Sequence, residues 1–268
     1  MLSAARITLT DAEPAKLKIS GESVSKMYRS KNKQLLALDR VSFQVFENDF
    51  VSFVGPSGCG KSTLLRILAG LEEASDGTVL VSGRTIEGPG ADRGMVFQSY
   101  TLFPWLTVRE NIEFGMTLKN VPLFEKRAVS DRFMELVGLT KFAKSFPKEL
   151  SGGMKQRVAI ARALAANPEV LLMDEPFGAL DPQTKEAMQT MLVDIWQKEK
   201  TTIVFITHDI EEAVFLSERV YVMDPNPGRI RAEIAIPEDI KRHPDGRDAE
   251  PFLKLKKQIV SMIGHHHD

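Results

Sequence analysis

Apolar and polar positions alternate along much of the stretch from "KLKISGESVSKMY" through "LLALDRVSFQVFENDFVSFVG", most plainly at Val41, Phe43 and Val45, until "ENDF" interrupts the pattern. A period of two puts every second side chain on one face, so this region predicts antiparallel strands joined by a turn. "DGTVLVSGRTI" adds a further strand punctuated by glycine. From "YTLFPWLTVRENIEFGMTL" to "EKRAVSDRFMELVGL" the period becomes helical, with Val129, Phe133, Leu136 and Val137 on one face and no strand pattern. "PEVLLMDEP" and "TTIVFITHD" differ from both: they are short continuous apolar runs bounded by breakers, as in strands buried on both faces of a parallel sheet. Near the end "GRIRAEIAI" alternates like a strand, and "EPFLKLKKQIVSMI" gathers Phe252, Leu255, Ile259 and Ile263 on one face of a closing helix packed on the core. The pattern as a whole predicts an α/β core with an antiparallel β-subdomain and a helical subdomain inserted at about 101–165. The expected organisation is a loose tail over 1–16, one main domain over 17–236, and a C-terminal helix and tail over 237–268.

Composition changes this picture little. Lysine and arginine total 35 against 36 aspartates and glutamates, so no overall bias toward nucleic acid or anionic lipid exists, and no nucleic-acid partner is expected. The single cysteine, Cys59, rules out an intramolecular disulfide framework and fits a reducing compartment. No apolar run reaches the roughly 18 residues that span a bilayer, and "MLSAARITLTDAEPAKLKIS" lacks the basic flank and apolar core of a secretory signal. The terminal "GHHHD" has no partnering ligand cluster, and we read it as a tail rather than a metal site.

The candidate chemistry is concentrated in a few strings. "GPSGCGKST", Gly55 to Thr63, fits a phosphate-binding P-loop, with "DFVSFV" as the strand before it and "STLLRILAGL" as the helix after it. Gly55, Gly58 and Gly60 allow the backbone between Pro56, Ser57 and Cys59 to turn its N–H groups toward phosphate oxygens, aided by the positive end of the helix. Lys61 is suited to the β- and γ-phosphates and the Ser62 hydroxyl to Mg²⁺. For Thr63 two readings stand: a hydrogen bond to the α-phosphate, or a place in the first helical turn. Cys59 contributes its backbone N–H and is a poor candidate for thiol chemistry. "VLLMDEP" ends an apolar run in two carboxylates: Asp174 in the position of a magnesium-directed aspartate, and Glu175 as a candidate general base for water. Gln98 in "MVFQSY" and His208 in "FITHD" follow strands, where an amide can meet Mg²⁺ or water and an imidazole a γ-phosphate oxygen. Farther along, "LSGGMKQR" places Ser151 as the cap of a helix beginning near Met154, with Gly152 and Gly153 leaving N–H groups open at a second anion-binding helix end.

The ordered series "GPSGCGKST", Gln98, "LSGGMKQR", "LLMDE", "ALD" and His208 resembles an ATP-binding subunit of an ABC transporter, over about Leu17 to beyond Arg229. That resemblance implies a P-loop NTPase fold of RecA-like type and ATP with Mg²⁺ as ligands. It implies that Tyr28 in "SKMYRS" stacks on adenine. It also implies a head-to-tail dimer, formed with a second copy or a similar ATPase subunit, in which Ser151, Gly152 and Gly153 of one chain reach ATP on the P-loop of the other and Asp181 couples the two sites. "MVFQSYTLFPWLTVRENIEFG", "MDEPFGALD" and "PGRI" look most like the ATPases of nitrate, sulfonate and taurine importers. The implied setting is the cytoplasmic face of the cell membrane, beneath a separate permease that works with an extracytoplasmic solute-binding protein. Phe103, Trp105 and Leu106 then either form the small core of the insert or face a coupling helix of the permease. An export or lipid-transport ATPase shares every catalytic motif and stays open as an alternative. A soluble non-transport ABC ATPase fits less well, since those usually carry long coiled-coil inserts or tandem cassettes.

Overall fold

The computed structural model describes residues 16–30, 33–237, 240 and 246–264. The tail expected before Lys16 and the terminal histidine run therefore lie outside the described residues. Strands β1 (Leu17–Ser30), β2 (Lys33–Phe46), β4 (Asp76–Val81) and β5 (Arg84–Thr85) form an antiparallel sheet in the order β2-β1-β4-β5. Ser82 and Gly83, both at positive φ, make the two-residue turn between β4 and β5.

The turn at "ENDF" does not join paired strands, which corrects the simple antiparallel reading. Strand β3 (Phe50–Val54) leaves the first sheet and enters a second, ordered β10-β9-β3-β8-β7-β6. The reason lies in its composition: all five residues are buried, as a central strand covered on both faces requires. It pairs in parallel with β8 (Thr202–Thr207) and β9 (Arg219–Asp224); β7 (Val170–Asp174) and β6 (Arg93–Val96) continue the parallel set beyond β8, and β10 (Arg229–Ala235) lies antiparallel to β9 at the edge.

The strict pleat of these strands divides the core in two. Phe50, Val54, Leu171, Met173, Ile203, Phe205, Val220 and Val222 point into one cluster, while Val51, Phe53, Val170, Leu172, Val204, Ile206, Tyr221 and Met223 point into the other. The second cluster is closed by α1 (Lys61–Leu68) and the antiparallel sheet. The first is closed by α5 (Pro182–Glu199), α6 (Ile210–Leu216), α7 (Glu250–Gly264) and the helices α2 (Val108–Leu118), α3 (Leu123–Leu136) and α4 (Gly152–Ala165), which follow β6 and precede β7. Thr107 and Glu110 start α2 with a capping box, each bonding the other's backbone N–H. Since β3, β6, β7 and β8 run parallel, their C-terminal ends share one edge of the sheet, and Val54 pairs with Thr207, Asp174 with Ile206 and Val96 with Met173. The residues that follow those ends emerge together there.

On α7, Phe252 and Ile259 are fully buried, and Leu255 and Ile263 pack half-buried against the first cluster. Replacing Ile259 with Ala should therefore cost about 2–5 kcal/mol of stability, read as a lower denaturation midpoint in urea. A change near zero would show that the helix does not close the core.

Candidate active site

The loop after β3 supplies the first half of the site. Gly58 and Gly60 adopt φ of 82° and 88°, a region closed to most side chains, and a Cβ on Gly60 would also sit 2.6 Å from Leu38 Cδ2. Gly60 caps α1 without any side-chain hydrogen bond, so the first N–H groups of the helix stand open to an anion. Lys61 is 5 % exposed, and its Nζ donates to the carbonyls of Gly55 at 2.8 Å and Pro56 at 3.1 Å. The ammonium is thus held at the loop by neutral carbonyls, leaving its charge for a phosphate. Cys59 is buried beside it with its N–H bonded to Pro56 O at 3.3 Å, and burial pushes the thiol up from its ordinary value despite Lys61. Thiolate chemistry is disfavoured there.

A cavity of about 340 Å³ opens over this loop, lined among others by Tyr28, Ser57, Lys61, Thr63, Glu175 and Asn226. Tyr28 stands at its rim, 37 % exposed, with its hydroxyl donating to Glu72 at 2.5 Å and lying 3.5 Å from Thr63 Oγ1. Burial and the Glu72 hydrogen bond both raise the phenol's pKa, so the hydroxyl stays protonated and the ring is held at the cavity mouth. Asn226 was not among the residues singled out from sequence. The "NPG" turn signal marks a loop there, but nothing in it shows that the loop folds back to the phosphate cavity.

The ends of β6, β7 and β8 supply the second half. Ser62 Oγ donates to Asp174 Oδ1 at 3.2 Å, joining the helix after the loop to the end of β7. Burial raises the Asp174 carboxyl above its ordinary value, and the charge of Glu175 adds to this against the pull of the Ser62 hydroxyl. A carboxylate so desolvated, bonded to a hydroxyl, is a hard-oxygen donor pair that fits Mg²⁺. Glu175 has φ of 41°, an unusual conformation for a residue with a side chain, braced by Glu175 N–H to Ile206 O at 3.0 Å and Gly178 N–H to Glu175 O at 3.1 Å. His208 Nδ1 lies 2.9 Å from Glu175 Oε2. The Gln98 amide, two residues beyond β6, and the Glu175 carboxyl both approach Gly178: a Cβ built there would be 3.6 Å from Gln98 Nε2 and 3.9 Å from Glu175 Oε2.

The residues of "LSGGMKQR" and Asp181 take no part in these pairs. None of Ser151, Gly152, Gly153 or Asp181 lines the cavity over the P-loop; Asp174 and His208 do not line it either but are tied to it through Ser62 and Glu175, which do. Ser151 caps α4 through Met154 N–H at 3.3 Å, and the helix begins at Gly152, two residues earlier than the sequence reading set it. Both glycines also have a packing reason that the string did not reveal. A Cβ on Gly152 would meet Tyr100 Oη at 2.8 Å, and one on Gly153 would meet Thr184 Cγ2 at 2.5 Å. Asp181 caps α5 by accepting from Thr184 N–H at 3.0 Å, which holds its carboxyl below the ordinary value.

The family model described as "ABC transporter" matches residues 38–178, more than half of the chain. The chain belongs to the ABC transporter family. Among relatives of this ABC protein, the nitrate import ATP-binding protein NrtD of Synechocystis sp. is 48% identical over 252 residues, covering 90% of this chain and 92% of its own. The aliphatic sulfonates import ATP-binding protein SsuB of Bacillus cereus is 44% identical over 245 residues, covering 91% and 95%. Among solved structures, the dimeric post-hydrolysis state of the ATP-binding cassette MJ0796 bound to ADP and Pi has a TM-score of 0.71 at 33% identity, covering 82% of this chain and 99% of that one. The fold is accordingly that of an ABC ATPase cassette, and the chain is an ATPase of this family. The matched interval holds the P-loop, Gln98, the Ser151 turn, Asp174 and Glu175, while Tyr28, Asp181 and His208 fall outside it.

Proposed function

We propose that this chain is the ATP-hydrolysing subunit of an importer for a small anion-bearing solute, such as nitrate or a sulfonate like taurine, and that it acts as a dimer under a separate membrane permease. The observation that carries this reading is that Ser62 and Glu175, which line the P-loop cavity, pair with Asp174 and His208, whereas Ser151 does not line that cavity and caps an exposed helix end. In the dimer the P-loop from Gly55 to Thr63 holds the phosphates, Tyr28 stacks on the adenine, and Ser151, Gly152 and Gly153 of the partner close on the γ-phosphate. Ser62, Asp174 and Gln98 would hold Mg²⁺, which when bound would neutralise negative charge on the phosphates. Lys61 adds its charge at the same oxygens.

Glu175 takes the proton of the attacking water. Because an ionised carboxylate only accepts, the nitrogen facing Glu175 Oε2 is the donor Nδ1–H of His208. Asp181, the cap of α5, reports the state of one site to the other across the dimer. The relatives that import nitrate and sulfonates support the cargo class. Among the described residues no helix is long and apolar enough to cross a membrane, so transport needs the permease, and an extracytoplasmic binding protein would deliver the solute.

Trp105 supports the permease contact: it is 69 % exposed, while its neighbour Phe103 packs on Phe114 with ring centroids 4.3 Å apart. Trp105 rests against Phe103 with ring centroids 5.6 Å apart, so the pair steps from the packing of the insert to its surface and leaves most of the indole outside. In a complex reconstituted with permease and binding protein, nitrate or a sulfonate should stimulate ATP hydrolysis. Trp105→Ala should weaken co-purification of the permease and abolish the stimulation while leaving hydrolysis by the isolated chain unchanged. Absence of any co-purifying permease would remove the transport reading, and stimulation by a lipid instead would favour an exporter.

A further inference from the structure

His208 is itself poorly held, its side chain 58 % exposed, so its place beside Glu175 is set by the backbone on either side of it. Both neighbours are tied into a polar cluster beneath. Thr207, 1 % exposed, donates from Oγ1 to Glu212 Oε2 at 2.5 Å and accepts from Asp209 N–H at 3.0 Å. Asp209 Oδ1 accepts from the N–H groups of Glu211 and Glu212 at the head of α6. One cation joins these carboxylates: Lys185 Nζ lies 2.7 Å from Asp209 Oδ2 and 2.8 Å from Glu212 Oε1, the latter residue only 4 % exposed. Burial opposes charge on both Lys185 and Asp209, yet their pairing wins, holding the lysine above and the aspartate below its ordinary value.

Lys185 sits one turn into α5, its N–H bonded to the carbonyl of Asp181. It therefore connects the helix capped by Asp181 directly to Asp209, on one side of His208, and through Glu212 to Thr207 on the other. The cluster continues outward. Gln189 Nε2 donates to Glu212 Oε1 at 3.2 Å, Arg247 donates to Gln189 Oε1 at 2.5 Å and to Glu211 at 3.3 Å, and Lys256 of α7 donates to Glu211 at 2.6 Å. The Arg247 guanidinium also lies 4.2 Å from the Phe215 ring centroid.

We propose that Lys185 is a positioning residue for the His208–Glu175 pair, and that Arg247 of the C-terminal segment braces it through Gln189 and Glu211. Lys185 touches no reacting atom. It neutralises Asp209, the residue after His208, and Glu212, which accepts from Thr207, the residue before it, and so fixes the backbone from which the imidazole reaches Glu175. Removal of the ammonium leaves Asp209 and the buried Glu212 without their shared counter-charge, and the His208 backbone shifts while the P-loop, on the other side of the site, keeps its shape. The proposal rests on the catalytic roles given above to His208 and Glu175.

The test compares Lys185→Met, Lys185→Arg, His208→Ala and the double variant Lys185→Met/His208→Ala in the full chain, measuring kcat, KM for ATP, affinity for a non-hydrolysable ATP analogue and thermal unfolding. Lys185→Met should lower kcat by about 10- to 100-fold with KM and analogue affinity little changed, and Lys185→Arg should restore most of the loss. The double variant should be no worse than His208→Ala alone, since Lys185 acts only through the histidine. Losses that multiply in the double variant, or a kcat loss that the arginine does not rescue, would overturn the positioning role and leave the role of His208 standing. Near-normal hydrolysis by His208→Ala would overturn both. If Lys185→Met does not fold, Arg247→Met gives the same readout at the outer end of the brace, with a smaller kcat loss expected at unchanged KM; no kcat loss there overturns the proposal.

Discussion

Glu175→Gln is expected to lower ATP hydrolysis by about 10²- to 10⁴-fold, the span that a general base contributes, while ATP binding persists and an ATP-bound dimer accumulates. The substitution is nearly isosteric. The amide carbonyl still accepts from His208 Nδ1–H where the carboxylate does now, at 2.9 Å, and the backbone at φ of 41° is unchanged by the side-chain swap. What the amide cannot do is take a proton from water. Binding depends on the P-loop, Lys61 and the open N-terminus of α1, none of which the substitution touches. The γ-phosphate therefore stays in place, and the closed state it favours becomes the dominant one. Phosphate release and size-exclusion chromatography in ATP read the two effects separately. Hydrolysis close to the parent rate would take Glu175 out of the general-base role.

How much of this was legible beforehand depends on what kind of contact each residue makes. Lys61, Ser62, Asp174 and Glu175 were readable because their chemistry demands particular residue types at the ends of particular strands, and a parallel sheet delivers those ends to one edge. The alternating faces of β7 and β8 were readable as continuous apolar runs for the same reason. Strand β9 escaped notice, since "RVYVMD" is a short run between charges and its partner β3 is far away in sequence. The place of β3 was misread where local alternation suggested a hairpin, because sheet membership is decided by burial on both faces and not by the turn before it. The glycines of "LSGGMKQR" were read as openings for an anion. Their close approaches to Tyr100 and Thr184 depend on tertiary packing that no local pattern encodes. The brace around Lys185 was invisible for a related reason: each of its members reads alone as a solvated charge, and only the fold brings Lys185, Asp209, Glu212 and Arg247 together.

The placement of Ser151 outside the P-loop cavity leads to the second large effect, recovery of activity by mixing two inactive variants. Lys61→Ala removes the cation from the phosphate loop, and Ser151→Arg puts bulk and charge at the α4 cap, costing also about 1 kcal/mol of capping. Each variant alone should form dimers in which both sites carry a defect and hydrolyse almost nothing. In a mixed dimer of head-to-tail type, both defects fall in one site, and the other combines an intact Lys61 with an intact partner Ser151. With random pairing of equal amounts and independently firing sites, the mixture should regain about a quarter of the parent activity, as follows from two-fold symmetry. Sites completed within one chain predict no recovery, because every chain in the mixture is defective. The measurement is steady-state phosphate release from the mixture, with differently tagged chains to verify that mixed dimers form. No activity from verified mixed dimers would remove support for the composite site and return Ser151 to the role its 3.3 Å bond to Met154 describes, the cap of a helix.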